Sequence, residues 1–259
     1  MCSDRQFHAD WRDAAAYAPL LEADRSVFAW EWLRRDADYR SAAEQAMSGQ
    51  ARRGAGPPVT PERWGLHAFE NPSRSAPGAR PVWTADVHAA VLPVLAVPGG
   101  GAVDLFDPDR FASMRTIVKD RSGREHLLLS DGFRTLRLDV LAGTVGSGPS
   151  RLQYLLGGFA SADAPLMTLR RLLALHRTGR LSRSLHAPES RARRWILVLR
   201  ARDALASGAD QREIAAALVG RAAREPRWRS QTPSLRAQAQ RLVRAARAMS
   251  RNGHLEFLA

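Results

Sequence analysis

The sequence predicts an α+β protein: an N-terminal helical segment, a small β-containing middle region and an all-α C-terminal part resembling a helix-turn-helix domain. Three observations carry this. Residues 10–48 are rich in Ala, Leu, Glu and Arg, with no proline between Pro19 and Pro57. The middle contains short apolar runs and a stretch that alternates at period two,. Beyond Arg151 helical spacing takes over,. The expected divisions are a helical domain over 1–49, linker and loops over 50–81, a β-containing region over 82–148 and an all-α domain over 149–259. A chain of 259 residues with 45% apolar side chains can build such cores without staples,.

In the first segment Asp24 is placed to cap a helix carrying Val27, Phe28, Trp30, Trp32 and Leu33,. Its aromatics have two readings. They pack against the middle region, or Trp30 and Trp32, flanked by Arg34 and Arg35, anchor a partner such as RNA polymerase or another regulator. GQARRGAGPPVTPE, residues 49–62, has the composition of a linker, and residues 71–81 form a second loop,. Two apolar runs around the PGGG at 98–101 predict strands joined by a tight connection,. EHLLLSDGFRTLRLDVLAG, residues 125–143, predicts a hairpin turning at Ser130-Asp131-Gly132. In its second arm Leu136, Leu138 and Val140 alternate with Arg137 and Asp139, the period of a half-buried strand,. The hairpin serves either core packing or dimerisation. GTVGSGPS, residues 143–150, marks a domain boundary, and helices are expected over about 150–159, 165–178 and 189–206,.

Charge divides at the same boundary. Residues 1–150 hold 18 basic and 19 acidic side chains, whereas residues 151–259 hold 21 arginines, no lysine and 7 acids. Codon bias explains arginine in place of lysine but not the imbalance between the halves. A segment of net charge +14 fits a polyanionic partner, because each neutralised phosphate releases a counterion,.

Within that segment Ser207-Gly208 ends one helix, and Asp210 with Glu213 forms a capping box at the start of the next,. Thr232 and Pro233 open the last helix,. Its Leu235, Ala239, Leu242, Val243, Ala246 and Met249 share an apolar stripe. Arg236, Gln240, Arg244, Arg247 and Arg251 share another face, with Arg241 at its edge,. No acid occurs from residue 226 to 255. A helix with one docked face and one arginine face suits double-stranded DNA, since the guanidinium fork binds phosphate or the guanine edge in two places. Arg212 and Ser234 complete the expected DNA-binding set. The link of about fifteen residues before this helix is longer than the turn of ordinary helix-turn-helix units, which makes it a variant,. The competing reading is a solvated surface helix.

The patterns of catalytic and metal sites are missing from the sequence. The seven histidines show no H-x-x-x-H spacing, and Cys2 is the lone cysteine, so neither zinc nor any other cofactor is expected,. PGGGAVDLF has no following Lys-Ser/Thr, and VGSGPS has valine where a nucleophile elbow needs glycine,. Asp107 and Asp109 fit helix capping better than paired catalysis. Cysteine usage fits a reducing compartment. No apolar run approaches the ~18 residues of a membrane span, and the N-terminal stretch lacks a leader's apolar core,. A non-enzymatic cytoplasmic protein without membrane contact is expected.

DWRDAAAYAPLLEADRSVFAWEWLRRDADYR, residues 10–40, resembles the N-terminal regulator-like domain of a group of bacterial transcriptional regulators. ALASGADQREIAAALVG, followed by TPSLRAQAQRLVRAARAM, is similar to a domain that this group shares with excision activators of integrative and conjugative elements. The resemblance implies a helix-turn-helix variant that activates excision and transfer genes, with residues 210–219 as supporting helix and 233–250 as recognition helix. It also implies an alternative: a shorter relative acts as an antiactivator, so a protein-binding adaptor that sequesters a regulator without touching DNA is the second reading.

Overall fold

The computed structural model describes residues 9–49, 59–220, 233–249 and 253–258. They form two compact units, each assembled from both ends of the chain. One contains the described part of residues 24–187 together with the C-terminal turn from Leu255, and the other joins residues up to 23 with 188–254.

The larger unit is built on a six-stranded sheet. Its strands are β1 (Val91–Val97), β2 (Leu105–Phe106), β3 (Arg115–Lys119), β4 (Glu125–Ser130), β5 (Thr135–Ala142) and β6 (Ser150–Tyr154). The strand order is β2-β6-β1-β5-β4-β3. β1 runs parallel to β5, and the remaining pairs are antiparallel. The hairpin lies as expected, with Ser130 opposite Thr135. The turn glycine Gly132 has φ +100°, and a Cβ there would come within 2.2 Å of Pro77 Cβ.

One sheet face carries Leu92 and Val94 of β1, Leu127 and Leu129 of β4, and Leu136, Leu138 and Val140 of β5. Helix α3 (Asp163–Thr178) covers it with Leu172 and Leu175. The other face is also covered. Trp83 and His67 lie over it, and Arg137 and Asp139 are buried rather than turned to solvent. The alternation in β5 is therefore that of a strand with an apolar and a polar interior face.

Arg137 has all five donors engaged. Nε and Nη2 donate to Trp83 O at 3.1 and 2.9 Å, Nη1 to Leu127 O and Leu138 O at 2.9 and 3.1 Å, and Nη2 to Asp139 Oδ1 at 2.9 Å. Burial pulls the guanidinium below its usual range, and Asp139 opposes that. Burial pushes the Asp139 carboxyl up, but the His126 hydrogen bond and the Arg137 charge outweigh it and hold the carboxyl low.

Helix α1 (Arg25–Leu33) starts at Asp24 as the sequence predicts: Oδ1 accepts from Val27 N at 3.2 Å, and Oδ2 accepts from Thr135 N at 2.7 Å. Helix α2 (Ala37–Met47) follows after three residues, Arg34, Arg35 and Asp36, the last capping it through its side chain. The stretch expected as linker and loops is folded where it is described. Trp64, Leu66 and Ala79 are buried, Trp30 Nε1 donates to Arg74 O at 2.9 Å, and Tyr39 packs edge-on against Trp64. Loop composition is satisfied here by side-chain donors from α1 and α2 that take up the loop's carbonyls. Residues 50–58 of that expected linker lie outside the described residues.

Two further expectations are corrected. The helix expected at 150–159 is strand β6 followed by coil. Leu152, Leu155 and Leu156 fall at helical spacing, but antiparallel pairing of 151–154 with β1 prevails and buries Leu152. The expected 1–49 segment divides at Ala23, because Asp24 is bound to the hairpin while the preceding residues pack on a C-terminal helix.

Arg137→Met should lower unfolding stability by about 3–5 kcal/mol, since it strands the Asp139 charge and removes donors from Trp83 O and Leu127 O. Urea unfolding of the full chain checks this.

His88 supplies a pH test. Burial, aided by Arg137 and Arg171 and opposed by Asp24, pushes it down to about 4. In the unfolded chain the ring takes up its proton near 6.5,. The unfolded state thus binds more protons between those values, and stability should fall as pH drops from about 6.5 to about 4. His88→Gln should flatten that part of the urea-midpoint profile.

Candidate nucleic-acid interface

Among the described residues the smaller unit has three α-helices: α4 (Ala192–Ala206), α5 (Gln211–Leu218) and α6 (Pro233–Ala248). All three pack against one another. Gly208, at φ +80°, reverses the chain after α4, and Ala209 N bonds Ala204 O at 2.9 Å. The predicted capping box then starts α5: Glu213 N donates to Asp210 Oδ1 at 2.8 Å, and Asp210 N donates to Glu213 Oε2 at 2.9 Å. Ile214 and Ala215 face inward, as do Ala239, Leu242 and Ala246 of α6. Small residues let the helices approach closely, and Ala215 and Ala239 form the contact itself.

This packing orients α6. With its apolar stripe docked, Ser234, Arg236, Arg241, Arg244 and Arg247 are exposed and Gln240 is half-buried. Arg212 is exposed on the first turn of α5. Arg251 and the expected cap Thr232 lie outside the described residues. Gln240, Arg244 and Arg247 border an open groove of about 540 Å³, shared with Leu205, Asp210 and Ile214 of the α4–α5 corner. The capping box holds both acids of this corner, while the arginines of α6 face outward. The first turn of α4 adds exposed Arg193 and Arg194, and Arg191 lies over Trp195 at 4.9 Å.

A fourth component is absent from the sequence-based reading of this unit. Residues 9–23, including a 3-10 segment at Ala15–Glu22, dock on α4. Buried Arg200 donates from Nε to Trp11 O at 2.8 Å and from Nη2 to Arg12 O at 3.0 Å. Tyr17 Oη donates to Asp203 Oδ2 at 2.7 Å, with both side chains buried. Arg12 lies over the Trp11 ring at 4.0 Å and pairs with Glu213 at 3.1 Å.

Residues 10–67 match the model of a proteobacterial transcriptional regulator-like domain. Residues 160–259 match one described as "T6SS, Transcription factor, DNA binding domain". The chain carries a regulator-like domain and a transcription-factor DNA-binding domain. A search of curated proteins finds no match. The DNA-binding match contains α4, α5 and α6, and with them the described part of the arginine face. Both matches also cross between the structural units. Residues 10–23 of the regulator-like domain belong with α4, while α3 and Phe257 of the DNA-binding domain belong with the sheet.

The regulator-like domain does not present the side chains expected to anchor a partner. Trp30, Trp32, Arg34 and Arg35 are all buried. Trp32 meets Phe257 at 6.1 Å, and Glu31 binds Arg34 Nε and Arg35 Nη1 at 2.9 and 2.6 Å. Glu31 also accepts from Ala76 N at 2.8 Å. Burial raises the Glu31 carboxyl, but Arg35 and Arg34 outweigh it and keep the carboxyl low. Of the two readings of these aromatics, packing is the one observed. Among the described residues no helix is long and apolar enough to cross a membrane.

Tyr17→Phe should destabilise the helical unit by about 1–3 kcal/mol, because buried Asp203 loses its hydroxyl donor. Differential unfolding followed at Trp11 and Trp195 fluorescence reads this change.

Proposed function

We propose that the chain is a DNA-binding transcriptional regulator whose α6 enters the major groove through Arg236, Gln240, Arg244 and Arg247. Arg241, Arg212 and Ser234 flank this contact. The observation that supports this is the exposed arginine face on a helix whose opposite side is docked, within a matched DNA-binding domain. Guanidinium forks on one face read guanine O6 and N7, while arginines at the edges and on α4 bind phosphates and set the register. Gln240 matches the two-point edge of adenine. Association is expected to be fast, because the net charge of the C-terminal segment draws the protein to the duplex.

The sign of regulation in this proposal is activation. The resemblance of residues 206–220 and 232–249 suggests genes for mobile-element excision and transfer as targets. The match to a T6SS transcription factor's DNA-binding domain adds T6SS genes to the candidate targets. The regulator-like domain would act on RNA polymerase or a second regulator through a surface other than its buried Trp30 and Trp32.

Gel-shift titration of the full chain on a random-sequence duplex should show affinity falling steeply with salt. The triple variant Arg236→Ala, Arg244→Ala, Arg247→Ala should weaken binding by about 3 kcal/mol or more and reduce the salt slope by about 3. Unchanged binding by the triple variant would remove α6 as the contact. Tight, salt-insensitive binding to a partner regulator without any duplex binding would favour the adaptor reading. Footprinting on genomic fragments then identifies the target genes.

A further inference from the structure

The sheet unit contains a cluster that DNA reading does not use. His126 of β4 and Asp139 of β5 are direct cross-strand partners, and His126 Nδ1 lies 2.8 Å from Asp139 Oδ1. His67 lies against the same pair, its ring stacked on His126 at 3.4 Å between centroids and 18° between planes. One ligand atom from each of His67, His126 and Asp139 falls within 4.8 Å of the others.

We propose that His67, His126 and Asp139 bind a divalent transition metal of the zinc class. Two imidazoles and a carboxylate are donors of borderline softness, which suit this class better than calcium or magnesium. His67 Nε2 is buried and has no hydrogen-bond partner among the described residues, an unmet polar group that a metal would satisfy,.

The surroundings have the order of a metal site's outer shell. His126 Nε2 faces Asp120 Oδ2 at 3.3 Å, and its Nδ1 faces Asp139 Oδ1 at 2.8 Å, the contact that a metal would replace. A carboxylate behind a ligating imidazole fixes its tautomer and raises its basicity. Arg137 Nη2 holds Asp139 Oδ1 at 2.9 Å and so fixes the carboxylate in place. Two ligands sit on paired strands. The third is positioned by His67 N bonding Val82 O at 2.9 Å and by the Leu66–Trp83 bridge. Near-parallel rings share no in-plane point, so binding turns the His67 ring out of its stack, and water completes the coordination. A metal here would clamp the segment around His67 onto the β4–β5 hairpin.

Titration of the full chain with Co(II) should give visible d–d bands saturating at one equivalent, and Zn(II) should displace them and raise the unfolding temperature. His67→Gln removes no hydrogen bond of Nε2 and should weaken Co(II) binding at least tenfold, whereas His88→Gln should leave it unchanged. No saturable binding at one equivalent, or unchanged affinity in His67→Gln, overturns the proposal. Histidine ring NMR of the native chain is independent of any variant's folding. Zn(II) should shift the His67 and His126 signals, and shifts confined to other histidines overturn the site.

Discussion

The sheet unit depends on one buried guanidinium. Arg137 points into the interior on the face away from α3, where water cannot solvate it. Its charge is tolerable because five donors meet four oxygens from β4, β5 and the Trp83 segment. Those bonds also specify the architecture. Nε and Nη2 together reach Trp83 O, which holds the Trp83 segment against β5. The polar interior layer of His126, Asp139 and His67 follows from the same placement. Breaking such a network costs more than its net contribution to stability, which is why it constrains the fold so strongly.

The helical unit repeats this solution at smaller scale. Arg200 lies on α4 where an apolar side chain would ordinarily pack, and it is satisfied by backbone carbonyls of residues 11 and 12. Tyr17 and Asp203 add a second polar tie beside it. The outward face of α6 can then be almost entirely cationic, because the inward faces supply packing and polar satisfaction. Stability and charge are kept on separate surfaces.

Local chemistry made several elements legible in the sequence. Asp24 and Asp210 declare helix starts through side-chain oxygens that reach two or three residues ahead. Gly208 declares a stop, and the Leu136–Leu138–Val140 alternation declares the strand's core face. The arginine stripe of α6 was equally visible, since a helix fixes which residues share a side. What escaped was long-range. Nothing near Trp30, Arg34 or Arg35 indicates that residues 72–76 and Phe257 cover them. An alternating Arg137 reads as a solvent-facing residue until its cover is known. Leu152, Leu155 and Leu156 satisfy a helical period that strand pairing with β1 overrides. His67, His126 and Asp139 meet across three separate segments, so no spacing rule finds them.

The tie between residues 9–23 and α4 also sets an order of assembly. Arg12 meets Glu213 across 201 residues, and Arg200 meets Trp11 across 189. On the ribosome the first residues emerge long before α4 exists, while the hairpin and α3 are already available to collapse. Such distant closures come late in folding, because loop entropy must be lost before the contact forms. The helical unit therefore gains this tie only after α4 and α5 have been made. A truncated chain that ends before α4 contains strands β1–β6 but lacks α4, α5 and the arginine face of α6.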